Sequence, residues 1–110
     1  MSSILSIYIN GDKVLDYDKS KREPGLQRRF LDEMDLDMDK GIDVNGELLE
    51  SPDKMQRANY VAMGLLYGIE NNDEGMISAT CKYLANRLPD LKQVRAIEQG
   101  NEISLDLIFN

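Results

Sequence analysis

Apolar and polar residues alternate at both ends of the chain, and between those ends the apolar positions recur at helical spacing. Ile4-Leu5-Ser6-Ile7-Tyr8-Ile9 is rich in β-branched and aromatic side chains, Asn10-Gly11 supplies residues that accept positive φ, and Lys13-Val14-Leu15-Asp16-Tyr17 returns. This is the signature of a β-hairpin with a two-residue turn. The other end repeats it, with Gln93-Val94-Arg95-Ala96-Ile97-Glu98 and Glu102-Ile103-Ser104-Leu105-Asp106-Leu107-Ile108-Phe109 flanking Gly100-Asn101. A two-residue loop sets Val94 opposite Leu107, Ala96 opposite Leu105 and Arg95 opposite Asp106, which leaves an apolar face and one charged pair. The last strand is expected to be uncovered, since the chain stops one residue after Phe109.

Between the hairpins the period changes. Pro24 suits a first helical turn, and Leu26, Phe30, Leu31 and Met34 follow at helical spacing. Asp35, Asp37 and Asp39 are unfavourable at the negative end of a helix, and their alternation with Met34, Leu36 and Met38 also suits a short strand, so the helix is expected to end by about residue 38. Asn45-Gly46 lies between the short apolar runs Ile42-Asp43-Val44 and Glu47-Leu48-Leu49, as in a minor hairpin or structured loop. Ser51 and Pro52 read as the N-cap and first turn of a helix whose buried stripe is Met55, Ala58, Ala62, Leu65, Leu66 and Ile69. Asn71-Asn72-Asp73 makes a turn and a new cap, and a helix follows with Ile77, Cys81, Leu84 and Leu88 on one face until Pro89 stops it. So short a connection makes these two helices antiparallel.

The pattern predicts one α+β domain over residues 1–110. Two terminal β-hairpins form a mostly antiparallel four-stranded sheet, packed on one face by about three helices at residues 24–38, 52–70 and 74–88. A chain of 110 residues has room for one core and too little for two domains with a cleft between them. No basic flank or small-residue cleavage site marks the N-terminus as a signal peptide, and the uncharged run Tyr60–Ile69 is shorter than the roughly 18 to 20 residues of a membrane span. A soluble, cytoplasmic protein that does not act on membranes is expected.

Charge narrows the partners. Thirteen Lys and Arg against twenty Asp and Glu give −7, the wrong sign for direct nucleic-acid binding. The excess is local. Lys19, Lys21, Arg22, Arg28 and Arg29 against Glu23 make residues 19–29 net +4, whereas nine acids and Lys40 make residues 32–53 net −8. The basic stretch could grip an anion, but its plainer reading is a solvated surface beside the acids.

Asp35, Asp37 and Asp39 stand at positions 1, 3 and 5 of an EF-hand-like spacing that would also draw on Asp43 and Glu47 as calcium ligands. The spacing breaks where Lys40 replaces the required Gly and where Gly46 occupies the place of the bidentate Glu. No metal or cofactor is therefore expected. Cys81 shares a helical stripe with Ile77 and Leu84, which places it in the core, and the chain has no histidine to serve as its base. Without histidine the commonest general base and metal ligand are both missing, so catalysis is not expected.

Gly64 and Gly68 lie inside a helix, where glycine costs about 0.5 to 1 kcal/mol relative to alanine, so another element should come close there. With Tyr60, Met63 and Tyr67 around them, these residues are the candidates for a contact surface unless the helix is buried on both sides. The expected function is a non-catalytic interaction or regulatory protein, and a homodimer is one form it could take. It would bind a protein partner through this helix or through the last strand. The alternative is an acidic decoy that sets the carboxylates of residues 32–53 against a basic protein groove.

Overall fold

The computed structural model describes residues 4–19, 26–44 and 46–109. Strands β1 (Ile4–Ile9) and β2 (Asp12–Asp18) form the first hairpin, and β5 (Gln93–Gln99) and β6 (Glu102–Ile108) the second. Between them lie α1 (Leu26–Asp39), a small hairpin of β3 (Ile42–Val44) and β4 (Glu47–Leu49), α2 (Lys54–Glu70) and α3 (Glu74–Arg87). Residues 20–25, which include Pro24, Lys21 and Arg22, lie outside the described residues, as does Asn45.

The expected turn chemistry is present. Asn10 and Gly11 both take positive φ, at 52° and 84°, as the hairpin turn requires. Val94 pairs with Leu107, Arg95 with Asp106 and Ala96 with Leu105, the register that the alternation implied. β1 and β2 carry a bulge, because Ile7 faces Leu15 and Tyr8 faces Lys13, leaving Val14 with no partner position.

The sheet is mixed rather than simply antiparallel. Its order is β2-β1-β5-β6, and β1 and β5 run parallel at its centre, with Ile7 beside Val94 and Ile9 beside Ala96. Local turn signals determine each hairpin but not how the two hairpins join. The long helical connection permits a parallel pair, and the strands with the most apolar inner faces take the middle. Leu5, Ile7, Val94 and Ala96 are all buried, whereas the charged β2 and β6 lie at the edges. Asn10 strengthens the junction: its N–H donates to Ala96 O at 2.8 Å and its side chain accepts the Glu98 N–H at 2.8 Å.

The helical layer covers the inner face. Ala62, Leu65 and Leu66 of α2 and Cys81 and Leu84 of α3 join the strand residues in one core. The cap of α2 corrects the sequence expectation. Asp53, not Ser51, accepts the Gln56 N–H, and the Gln56 side chain accepts the Asp53 N–H, each at 2.8 Å. An aspartate one residue before the helix makes this reciprocal cap, while Ser51 takes φ 50° in the preceding loop. The helix therefore starts later, and Met55 stands exposed in its first turn rather than in the buried stripe. Phe30 of α1 is also exposed.

Candidate protein-contact groove

Helix α2 has two unlike long sides. Ala58, Val61, Ala62, Leu65 and Leu66 are buried, whereas Tyr60, Met63 and Tyr67 lie 45%, 39% and 62% exposed at spacings of three and four residues. A helix buried on both sides would hide all of them. Here the apolar surface exceeds what the domain can cover, because the sheet and α3 occupy only part of the helix circumference.

These side chains form one wall of an open groove of about 440 Å³. The rest of it comes from Met34, Asp37 and Met38 on α1 and from Met76 and Thr80 on α3. Met34 and Met38 are one helical turn apart, so α1 presents both to the same side. Thr80 brings no loose hydroxyl into the groove, since its Oγ1 donates to Met76 O at 2.7 Å.

The two glycines explain how closely α3 approaches. A Cβ built on Gly64 would sit 3.6 Å from Thr80 Cγ2, and one on Gly68 only 3.0 Å from Met76 Cγ and 3.1 Å from Met76 Cβ. The close element expected from the sequence is α3 of the same chain. Gly68 is buried beneath it, while Tyr60, Met63, Gly64 and Tyr67 line the groove.

Behind the groove, α1 is clamped to α2 and α3 by charge. Arg57 donates to Asp35 Oδ1 at 3.1 Å, to the Asp39 carboxylate and to the Pro52 carbonyl at 2.9 Å. Arg87 donates to Asp35 Oδ2 at 3.1 Å and to Asp32 Oδ1 at 2.9 Å, and the Tyr83 hydroxyl donates to Asp35 Oδ1 at 2.5 Å. Partial burial alone would raise the Asp35 carboxyl, but the Tyr83 and Arg57 hydrogen bonds and the two arginine charges outweigh it and hold Asp35 below its ordinary value. Burial and the bond to Asp35 both push the Tyr83 hydroxyl upward.

This clamp accounts for the acidic stretch differently from a calcium loop. Asp35, Asp37 and Asp39 lie on a helix, which turns Asp37 away from the other two. Asp35 and Asp39 meet Arg57, Asp37 lies 3.9 Å from Lys40, and Asp43 accepts the Gly46 N–H at 2.9 Å in the small hairpin that also holds Glu47. Among the described residues, no three acidic, cysteine or histidine side chains converge to hold a metal ion. Of the basic residues in 19–29 whose side chains are described, Lys19 donates to the Pro89 and Leu91 carbonyls at 3.0 and 2.9 Å, and Arg29 faces Glu33 at 3.8 Å.

Cys81 is fully buried, and burial pushes its thiol up to about 12, so it stays protonated at neutral pH. The residues that sequence reasoning missed are Met34, Met38, Met76 and the Asp35 partners. The spacing of the two α1 methionines was visible, but which face of α1 meets α2 is a tertiary matter. Comparison with known protein families, curated proteins and solved structures finds no match to this chain.

Proposed function

We propose that the chain is a non-catalytic protein-interaction module whose contact surface is the groove between α1, α2 and α3. The observation that carries this reading is the exposed Tyr60, Met63 and Tyr67 stripe opening onto one apolar recess. Aromatic and methionine side chains are enriched in interface cores, and methionine adapts its shape to different contacts. A buried, protonated Cys81 and a chain without histidine support a non-catalytic role.

The competing decoy reading draws on the carboxylates of residues 32–53. Against it, Asp32, Asp35 and Asp39 already meet Arg57 or Arg87. Photo-crosslinking separates contact at the groove from contact elsewhere. A photoreactive residue at Tyr67 is expected to give discrete adducts in native lysate that weaken with Met63→Gln, and one at Ile97 on the other face of the sheet is not. Equal adducts from both positions, unaffected by Met63→Gln, would reject the groove.

A further inference from the structure

We infer that the outer edge of β6 pairs with the same edge of a second copy, antiparallel about a twofold axis at Leu105, joining the two four-stranded sheets into one. This contact is separate from the groove. The two edges of the sheet differ in what they permit. β2 carries the bulge at Val14, and Asp12, Lys13, Asp16 and Asp18 charge most of its length. A bulge, a lysine and frequent charges are the devices that keep an edge strand from pairing. β6 has none of Lys, Arg or Pro, and its register with β5 runs without a shift from Glu102 to Ile108.

The backbone of β6 sets the register. Ala96 O accepts the Asn10 N–H, and the Glu98 N–H donates to Asn10 Oδ1, so these β5 residues turn their backbone groups toward β1. Their antiparallel partners Leu105 and Ile103 therefore turn theirs away from β5, and Leu107, opposite Val94, does the same by alternation. Among the described residues, no strand lies on that side. A twofold axis at Leu105 sets Leu105 against its own copy and Ile103 against Leu107. The residues with outward N–H and C=O groups then face one another along the strand.

The side chains complement each other in that register, which is the argument for a second copy. Ala96 and Val94 are 1% and 0% exposed, yet Leu105 and Leu107 opposite them are only half-buried, so the helical layer stops short of β6. The second copy's Ile103, Leu105 and Leu107 would extend the apolar face over this strip. On the other face Ser104 stands opposite the second copy's Asp106. The sheet already makes this pair between β1 and β2, where Ser6 Oγ donates to Asp16 Oδ1 at 2.7 Å. Glu102 stands opposite Ile108, so no acid directly faces an acid, and Arg95 lies across β5 from each Asp106. A slip of one residue would set the apolar face of one strand beside the polar face of the other.

The test uses the full chain. An edge contact is smaller than a standard interface, so sedimentation should show the mass rising from monomer to dimer between about 5 and 500 µM. Each copy carries −7, so added salt should strengthen the dimer. Hydrogen exchange should slow at the Ile103, Leu105 and Leu107 amides as concentration rises, while Ser104 and Asp106 stay unchanged. Ile103→Lys, whose charge meets Glu98 across β5, should weaken self-association at least roughly tenfold, although it lowers the net charge. Tyr67→Gln should leave it unchanged. Leu105→Cys should crosslink two copies on mild oxidation, since its Cα atoms would stand about 5.5 Å apart, and Leu15→Cys on β2 should not. Cys81, buried and with its thiol pushed up to about 12, does not compete.

A monomer throughout this range, with exchange at the three amides independent of concentration, would overturn the inference without any variant having to fold. A dimer dispersed by Tyr67→Gln and untouched by Ile103→Lys would place self-association in the groove and overturn it equally. A dimer lost with Ile103→Lys, in which Leu105→Cys crosslinks no better than Leu15→Cys, would overturn the twofold register at Leu105.

Discussion

Glu98 sits on the inner side of β5, in line with the buried Val94 and Ala96, where an ionised carboxylate is least welcome. A hydrogen bond with Glu70, then burial, then the Glu70 charge raise its carboxyl above the ordinary value of 4.5. Its Oε1 is buried without a partner. Glu70 ends α2, where the helix dipole already disfavours a negative charge. A raised folded-state value means that the stabilising contribution is complete below pH 4.5 and is lost as pH rises through the raised value. Denaturant midpoints measured from neutral pH downward should therefore show this contribution growing. Glu98→Gln, which keeps a donor toward Glu70, should raise stability at pH 7 and flatten that part of the profile. A lower midpoint for Glu98→Gln at pH 7 would count against a shared proton. None of this was visible in the sequence, because Glu70 and Glu98 meet only when α2 crosses the sheet.

At the scale of elements, the glycines of α2 differ in what they permit. Gly64 has ordinary van der Waals room beside Thr80, so Gly64→Ala should gain about 0.5 to 1 kcal/mol from reduced unfolded-chain freedom and better helix propensity. Gly68 faces Met76 Cβ, which is fixed to the α3 backbone and cannot swing aside, so Gly68→Ala should cost about 1 kcal/mol or more by forcing the helices apart. Thermal melts of the two variants should move in opposite directions. The same shift in both would mean that α2 and α3 are packed less tightly than described. Both hairpins and the beginning of α3 were legible in the sequence, because the Asn10-Gly11 and Gly100-Asn101 turns, alternation and the Asp73 cap act within a few residues. The start of α2 was misplaced because Ser51 and Asp53 are both competent caps and only the backbone path chooses between them.

Across the whole molecule, α1 is attached by Leu31 and Met38 in the core and by the Asp35 clamp to α2 and α3. Removing one partner from a mostly shielded ion-pair network leaves two arginines without their shared acceptor, so Asp35→Ala should cost about 2 to 3 kcal/mol. Hydrogen exchange should show that cost first in the α1 amides, with β1 and β5 less affected. Uniform loss of protection would mean that α1 does not open separately. The depressed Asp35 carboxyl acts on pH in the opposite sense from Glu98. Its contribution is present above the ordinary value of 3.8 and is lost as pH falls through the lowered one. Mild acidification should thus strengthen the fold before stronger acid releases α1. The groove shares this dependence, because Met34, Asp37 and Met38 supply one of its walls.

The sequence by itself determined the elements whose instructions are local: two hairpins with their turns, the β5–β6 register, three helices and an α+β composition. It also showed that α2 carried more apolar surface than one buried face needs. Tertiary structure decided that β1 and β5 lie parallel at the centre, that α3 is what fits against Gly64 and Gly68, and that the aspartates of α1 serve Arg57 and Arg87. These outcomes depend on contacts between residues tens of positions apart, where the burial of one surface competes with that of another. The alternation of polar and apolar residues specifies which faces must be covered, and only the folded chain settles what covers them.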